Sequence, residues 1–551
     1  MKKTIALLLT VAMMACLMAG CGGASTTRTT APTAVAEKNG SQEASNEPKI
    51  VTVATTGILN STSAFAVSGR AGSFYAQNVF GALVYFDSNN QIHPELLESW
   101  DISEDGCVYT LHFRKNIVWH DGVPFTADDY IFSWDLGSNP ELSTYLLRSY
   151  LAYVVGCDDS GLRVTDEEAG WKKIDDYTVE LTLKMPMGEN VALTYQPWLM
   201  PKHLLENEDP AQVDTWSFWE KPIGVGPFQF DSFVAGEQVT MRKNPDWCLG
   251  DEDVDVLIYK SFAEADLLPG LMSGEIDILG GNGACSLPLT DYDLAQQQDN
   301  LTLVRCNLGS YQYLPIELNF DYLQDSRVRR AFEMALDKQY MLDTFNMGFG
   351  EVLSSPYPST CKYIDPSLQQ PYDPEGARAL LEEAGWDFDR VLKMACNAER
   401  GGSQGGIPVL VQQMLGEIGV QVELVQVEYT TMMSQLHDGG YYDLSVMGGL
   451  CDVKRPYFLS SQYNPDVYWQ WSHLKDRKFL DVFDSTLYMT DEDEIAKAYQ
   501  EFQKMQLEDP VYIWLFEKDD IIVYNNQKLS NINVPNSGDS MWQAWEWVVN
   551  Y

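Results

Sequence analysis

Residues 391–447 alternate between strand and helix patterns, and this alternation constrains the fold more than any other feature of the chain. Three apolar, strand-like segments are separated by two segments with helical spacing; the strands are 391–396, 420–427 and 443–447, and the helices are 407–418 and 430–437. A strand–helix–strand–helix–strand order is typical of a parallel sheet, because a crossover helix returns the chain to the same end of the sheet. We therefore predict α/β structure here.

The segment after the last of these strands is a candidate binding site. Ligands of open α/β sheets bind beyond the carboxyl ends of the strands, so the loop predicted at 448–452 is expected to face a cleft. Asp452 is the leading ligand-binding candidate in this loop. The alternative is an aspartate of a surface turn or a helix cap.

Capping residues predict two helices before this region, and period-two patterns predict strands earlier still. Asp325 or Ser326 is expected to cap one helix, and Asp373 to start another that Gly385 closes. From residue 50 to about 247 short strand-like runs dominate; examples are 108–113 and 179–183, with Asp-Gly turns at 105–106 and 121–122. The first part of the chain is therefore predicted to be rich in β-structure.

The N-terminus has the pattern of an export signal. Lys2 and Lys3 precede an apolar stretch at 5–18, which is shorter than the about 20 residues that span a bilayer. The residues that end at Cys21 resemble the bacterial lipoprotein box, so we expect lipid attachment to this thiol. Small and polar residues at 22–48 predict a flexible tether.

The charge balance argues against nucleic acid as a partner. Acidic side chains outnumber basic ones by 79 to 37, which gives a formal net charge of −42. Nucleic acids and anionic membrane surfaces repel such a protein. An acidic coat of this kind favours solubility.

A catalytic motif at 401–405 has a simpler explanation. Gly-Gly-Ser-Gln-Gly matches the G-x-S-x-G nucleophile elbow at Ser403, and His437 and His473 follow it in the chain. The segment 397–406, however, has the composition of a long glycine-rich loop, whereas an elbow needs one sharp turn. We favour the loop.

No sequence pattern indicates a metal or another cofactor. Asp251, Asp253 and Asp255 imitate the start of a calcium loop, but Val256 stands where that loop needs glycine. The histidines include no H-E-x-x-H pair, and the cysteines beyond Cys21 include no C-x-x-C pair. Disulfide pairing is left open by the spacing.

Aromatic residues on extended segments give two further candidate sites. Tyr311 and Tyr313 share one face of a segment, as do Trp469 and Trp471. Such rings either line a cleft or fill a core. The sequence leaves both alternatives open for each pair.

A collinear set of short motifs runs through most of the chain. The longest extends from Pro94-Glu-Leu-Leu-Glu-Ser-Trp100 to Phe125-Thr-Ala-Asp-Asp129; others lie at 224–228, 242–246, 273–277, 327–331, 335–337, 372–375, 384–385 and 415–419. Through these motifs the chain resembles family 5 extracellular solute-binding proteins, the dipeptide and oligopeptide receptors of bacterial ABC importers.

The resemblance implies an α/β, two-lobed, periplasmic-binding-protein-like fold of the class II or cluster C type, with mixed sheets flanked by helices and a ligand cleft between the lobes. A hinge is expected near 306–313 and 516–524. The implied parts are a signal peptide at 1–20, a tether at 21–48, a first-lobe core domain at 49–81 with 224–305 and 525–551, an inserted β-rich domain at 82–223 and a second-lobe α/β domain at 306–524.

The resemblance also implies a ligand contact. In peptide-binding members, a G-W-x-x-D stretch supplies an aspartate for the α-ammonium group of the ligand. Here Gly449, Leu450, Cys451 and Asp452 correspond to it, one residue shorter and with leucine in place of tryptophan. Lys454 and Arg455 follow at once, and they either attract a ligand carboxylate or neutralise Asp452 and abolish amine binding.

The function implied is that of a lipid-anchored, monomeric receptor that binds a short peptide and delivers it to an ABC permease, at the cell surface or the periplasmic side of the membrane. It implies no catalysis and no cofactor. Alternatives are a receptor for another solute, such as an oligosaccharide or a nickel chelate, and an exported hydrolase that uses Ser403 or a carboxylate pair.

Overall fold

The computed structural model describes most of the chain from residue 47 onward. The described residues are 47–57, 59–66, 69–89, 91–143, 145, 148–164, 168–187, 189–194, 196–250, 252–280, 285–359, 361–397, 402–450, 460, 462–465, 470–486, 489, 491–534 and 543–550. Within these ranges no helix combines the length and the apolar character that crossing a bilayer requires.

The strands of the described residues are numbered in chain order. They are β1 Ile50–Thr55, β2 Val84–Phe86, β3 Ile92–Pro94, β4 Leu97–Ile102, β5 Val108–Phe113, β6 Trp171–Asp175, β7 Thr178–Thr182, β8 Phe228–Val234, β9 Gln238–Lys243, β10 Val256–Ser261, β11 Ile278–Leu279, β12 Leu301–Pro315, β13 Gly350–Val352, β14 Val391–Asn397, β15 Gln421–Val427, β16 Leu444–Ser445, β17 Met447–Leu450, β18 Tyr512–Asn525, β19 Leu529–Ser530 and β20 Val548–Val549.

The helices are numbered in the same way. They are α1 Gly69–Phe80, α2 Ala127–Gly137, α3 Glu189–Thr194, α4 Lys202–Leu205, α5 Leu267–Ser273, α6 Tyr292–Gln296, α7 Ser326–Met334, α8 Lys338–Asn346, α9 Pro374–Ala384, α10 Gly402–Glu417, α11 Tyr429–Asp438, α12 Lys478–Thr486 and α13 Glu492–Glu508.

Two long strands run through the middle of the largest sheet. This nine-stranded sheet has the order β17-β12-β18-β11-β1-β10-β9-β8, with β13 also on β18. Strands β12 and β18 are 15 and 14 residues long and pair antiparallel along most of their length. They therefore form the spine to which the other strands of the sheet are added.

The same two strands connect two large apolar cores. The first core includes Phe80, Trp119 and Trp547, and the second includes Phe332 and Trp514. Strand β12 passes from one to the other, since its Cys306 belongs to the first core and its Tyr311 to the second. Between these two residues the pairing with β18 shifts register, and Gly309 there has a φ of +69°. The irregularity thus lies where the spine leaves one core for the other.

The predicted parallel sheet is confirmed. Strand β14 pairs in parallel with β15 on one side and with β16 on the other. Helix α10 packs against β14 and β15, as a crossover helix does. The helix–strand alternation in the sequence therefore identified this sheet correctly.

Two boundaries in this region were predicted wrongly. The strand predicted at 443–447 ends at Ser445, and residues 448–450 of the predicted loop belong to β17, which pairs with β12 instead. Backbone hydrogen bonds to β12 outweigh the low preference of the two glycines for a strand. Helix α10 begins at Gly402 and not after a long loop. Gly406 allows this helix close to α8, since a Cβ atom there would lie 2.3 Å from the Phe345 ring.

The predicted helix caps are confirmed. Asp325 accepts a hydrogen bond from the backbone N–H of Arg327 at 2.9 Å, and helix α7 begins between them at Ser326. Asp373 caps α9 in the same way, and Gly385 ends that helix with a φ of +72°. Hydrogen bonds to the capping side chains therefore fix where both helices begin.

The β-rich character of the first part is also confirmed. Strands β4, β5, β7 and β6 form an antiparallel four-stranded sheet in this order. Side chains of β5 alternate between half-buried and buried, as its period-two pattern predicts. Gly106 and Gly122 take the positive φ values that the predicted Asp-Gly turns need.

Candidate functional site

Strand β17 forms one edge of the large sheet in the part of the chain that the structure describes. It pairs antiparallel with β12, so that Leu450 lies opposite Ser310 and Gly449 opposite Tyr311. An edge strand presents backbone N–H and C=O groups that no neighbouring strand satisfies. Among the described residues, the predicted site residues Gly449 and Leu450 therefore lie on a sheet edge, the kind of backbone that pairs with extended chains.

The side chain of Tyr311 covers Gly449 from one side. A Cβ atom built on Gly449 would lie 2.5 Å from the Tyr311 hydroxyl oxygen, too close for any side chain. Tyr311 itself is only 2% exposed. Glycine at this position thus lets the tyrosine ring pack directly on the backbone of the edge strand.

Three of the aromatic candidates lie in the interior. Tyr313 and Trp471 are buried like Tyr311. The Tyr313 ring stacks on Trp514 with 4.9 Å between centroids, and it lies 5.6 Å from the Tyr311 ring. Burial raises the pKa of the Tyr313 hydroxyl, which stays neutral. The structure thus brings Gly449 and the two tyrosines together, and it places the rings in the second core.

The other candidates lie outside the described residues. These are Cys21, Cys451, Asp452, Arg455 and Trp469. Leu450 is described through its backbone in β17. Their roles stay predictions.

Glu517 is a buried carboxyl beside this site that the sequence analysis missed. It lies on β18 opposite Tyr311 and is fully buried. Its oxygens accept hydrogen bonds from the backbone N–H of Ser359 at 3.2 and 3.3 Å and from the Ser359 hydroxyl. Burial raises its pKa. A single glutamate that follows the apolar run at 511–516 was the signal available in the sequence, but it belongs to no motif.

The residues weighed for metal binding have other partners. Asp253 pairs with the Lys49 ammonium group, and Asp255 accepts a hydrogen bond from the Lys49 backbone N–H at 2.8 Å. Asp251 is not among the described residues. Across the described ranges, no three His, Cys, Asp or Glu side chains are grouped so that they could hold a metal ion.

The residues weighed for serine catalysis lie in a helix and in an ion pair. Ser403 belongs to the first turn of α10. His473 faces Glu317 with 3.0 Å between Nδ1 and Oε2, and this carboxylate raises the pKa of His473. The Nε2–H of the same ring donates to the backbone carbonyl of His437 at 3.0 Å. Both nitrogens of His473 therefore have structural partners.

The sequence of this chain is similar to known binding proteins over most of its length. The model of the family described as "Bacterial extracellular solute-binding proteins, family 5 Middle" matches residues 91–470. The oligopeptide-binding protein AppA of Bacillus subtilis is 26% identical over 549 residues, which cover 94% of this chain and 93% of AppA.

Solved structures show the same fold. AppA from Bacillus subtilis in complex with a nonapeptide has a TM-score of 0.71 at 22% identity and covers 92% of this chain and 100% of its own. NikZ from Campylobacter jejuni in complex with Ni(L-His) has a TM-score of 0.72 at 24% identity, with 91% and 100% covered. The predicted binding-protein fold is confirmed, whereas the domain boundaries stay a prediction. Because the family model matches well over half of the sequence, this chain belongs to the family 5 bacterial extracellular solute-binding proteins.

Proposed function

We propose that this protein is the membrane-anchored substrate-binding protein of an ABC transporter, which encloses short peptides between two lobes and delivers them to the permease. The observation that carries the proposal is the edge strand β17, whose backbone borders the predicted ligand residues. Family membership and the oligopeptide-binding relative AppA support it.

An edge strand suits a peptide better than most other solutes. A peptide has the same alternation of N–H and C=O groups as a strand, so it binds an edge through backbone hydrogen bonds. Gly448 and Gly449 carry no side chains that would hinder this approach. Such recognition is independent of the peptide sequence, and side-chain pockets add what selectivity there is.

Lobe closure is proposed to occur about the spine. The predicted hinge at 306–313 contains the register shift between Asn307 and Ser310, and β18 runs beside it through the second predicted hinge segment at 516–524. A few residues that absorb backbone rotation are enough for a hinge. Ligand contacts to both lobes then shift the population towards the closed form, which the permease recognises.

Charged groups are proposed to fix the ends of the peptide. Asp452 follows β17 by two residues in the sequence, and we propose that its carboxylate pairs with the α-ammonium group. A buried ammonium group needs such a partner, because an unpaired buried charge costs several kcal/mol. Arg455 is a candidate for the ligand carboxylate.

Lipidation of Cys21 is proposed to hold the receptor at the outer face of the membrane. The tether that follows keeps a monomeric receptor close to its permease. A tethered receptor has a high effective concentration there, so modest affinity is sufficient for delivery.

Mass spectrometry of small molecules released when the purified protein is denatured tests the solute class. We expect peptides of a few residues. An oligosaccharide or a nickel chelate in their place would replace the peptide proposal, and products of bond cleavage in the presence of protein would favour a hydrolase.

Asp452→Ala is expected to weaken the binding of the identified peptide at least ten-fold, on the order of 1.4 kcal/mol, since the ligand ammonium group loses its counter-charge. Isothermal titration calorimetry measures this change. Asp438→Ala, which removes an exposed carboxylate at the end of α11, is the matched control and should leave affinity unchanged. Equal affinities of the two variants would remove Asp452 from the site.

A further inference from the structure

The short segment 462–465 lies between two stretches that contain predicted ligand residues. Asp452 and Arg455 precede it, and Trp469 follows it. Because the segment is covalently continuous with both stretches, its attachment to the fold restricts where they can lie.

Gln462 attaches this segment to both strands of the spine. Its side-chain Nε2–H donates a hydrogen bond to the hydroxyl oxygen of Tyr311 on β12 at 2.9 Å. Its backbone carbonyl accepts a hydrogen bond from the hydroxyl of Tyr512 on β18 at 2.7 Å. One residue thus binds two neighbouring strands through two tyrosine hydroxyls.

The residue after Gln462 holds the segment from the apolar side. Tyr463 is fully buried, and its ring packs edge-to-face on Phe502 of α13 at 5.0 Å. Its hydroxyl donates to Gln506 at 3.0 Å and accepts from the Trp514 indole N–H at 3.3 Å. These contacts fix the backbone of the segment in the second core, and this in turn fixes the point from which the Gln462 side chain reaches Tyr311.

The Tyr311 hydroxyl contacts both parts of the site. It is the atom nearest to a Cβ built on Gly449, and it is also the acceptor of the Gln462 amide. A displacement of Gln462 therefore moves the ring that supports the edge strand. The 462–465 segment and the edge strand β17 therefore both contact the hydroxyl oxygen of Tyr311.

We propose that Gln462 is a positioning residue of the ligand site, which acts through the Tyr311 hydroxyl to hold the edge strand β17 in one arrangement. The inference rests on the proposed function for the location of the ligand. It gives Tyr311 the role of a support behind the site rather than that of a ligand contact.

Hydrogen exchange of the ligand-free protein tests the contact itself. Tyr311→Phe and Gln462→Leu each remove one side of the hydrogen bond, and each should speed exchange of amides at 447–450 and 462–465 about five-fold. The double variant should exchange no faster than either single variant, because both substitutions remove the same hydrogen bond. Exchange equal to that of the wild type, or additive effects, would overturn the proposal.

Tyr499→Phe is the matched control. Tyr499 is a buried tyrosine of the same core whose hydroxyl faces Oγ1 of Thr486 in α12 at 3.4 Å. This variant should leave exchange at 447–450 unchanged. If all three variants speed exchange equally throughout the second core, the effect is general destabilisation and Gln462 has no positioning role.

Release of tetraalanine, followed by stopped-flow tryptophan fluorescence, tests the consequence for the ligand. Tyr311→Phe and Gln462→Leu should each release this peptide about five-fold faster than the wild type, with no change for Tyr499→Phe. Unchanged release together with faster exchange would overturn the positioning role. A wild-type protein that does not bind tetraalanine counts against the peptide function. In that case the exchange data still decide whether the Gln462–Tyr311 contact couples the 462–465 segment to β17.

Discussion

Glu95→Gln is expected to stabilise the protein by about 4 kcal/mol at pH 8, with no gain at pH 4. Glu95 is fully buried, and burial raises its pKa from 4.5 to about 8. Its side chain accepts hydrogen bonds from the Ala82 backbone N–H at 2.8 Å and from the Gln77 amide at 3.5 Å. Glutamine keeps the bond from Ala82 without a charge, and after a flip of the Gln77 amide the NH2 group of the introduced glutamine donates to the Gln77 carbonyl oxygen, which is buried without a partner among the described residues.

The sign of this effect follows from the direction of the shift. The folded state holds a proton on Glu95 up to about pH 8, whereas the unfolded chain releases it near pH 4.5. The contribution of Glu95 to stability is therefore complete below pH 4.5 and is lost as the pH rises through 8. The Gln variant has no such dependence.

Urea unfolding of the two proteins between pH 4 and pH 9 measures the difference in the free energy of unfolding. Glu98→Gln, three residues away in β4 and exposed, is the matched control and should behave as the wild type does. A difference between Glu95→Gln and the wild type that does not grow with pH would contradict a proton held on Glu95.

Gly224→Ala is expected to destabilise the protein by more than about 3 kcal/mol, because overpacking against a rigid backbone leaves no room for relaxation. A Cβ atom on Gly224 would lie 1.8 Å from the carbonyl oxygen of Val79 and 2.9 Å from Cα of Phe80, at the end of α1. Either α1 or the 224–226 turn must move. The free energy of unfolding in urea is the measurement.

Movement of this turn would also break the two hydrogen bonds that join it to the ring of His120. The Gly224 N–H donates to Nδ1 of His120 at 3.1 Å, and the opposite ring nitrogen donates to the Gly226 carbonyl at 3.0 Å. Burial lowers the pKa of His120 to about 4, so the ring is neutral and accepts the first bond at neutral pH.

The control for this substitution is Gly416→Ala. Gly416 lies inside α10, and a Cβ atom there meets nothing within 4 Å. Alanine at this position should stabilise the helix by about 0.5–1 kcal/mol. If both alanine variants are equally stable, the close approach at Gly224 is not what restricts that position.

These two residues show what the sequence motifs report. Glu95 belongs to the motif at 94–100, and Gly224 to the motif at 224–228, which are among the strongest signals in the chain. In the structure Glu95 is fully buried and Gly224 lies against the backbone at the end of α1. Burial restricts the residue type at the first position and close backbone contact restricts it at the second. The motifs therefore identified the family and its fold, but they did not locate the ligand.

The candidate site was less predictable because its geometry depends on contacts that are distant in sequence. Strand β17 contains two adjacent glycines, which local preference assigns to a loop, and it becomes a strand by pairing with Ser310 and its neighbours on β12. Gln462 belongs to no motif, and its role depends on two tyrosines far from it in the chain. The parallel sheet at 391–445, in contrast, follows from local periodicity.

The two cores differ in how much of the chain must be synthesised before all the residues of each core are present. Residues of the second core fall within one uninterrupted stretch, from Tyr311 to Phe516. The first core begins at Val51 but also needs Trp547 and Val549. Since synthesis runs from the N-terminus and domains fold as units, the second core is complete while the first still lacks these side chains. This arrangement delays the closing of the first core until residues 544–549 have been made.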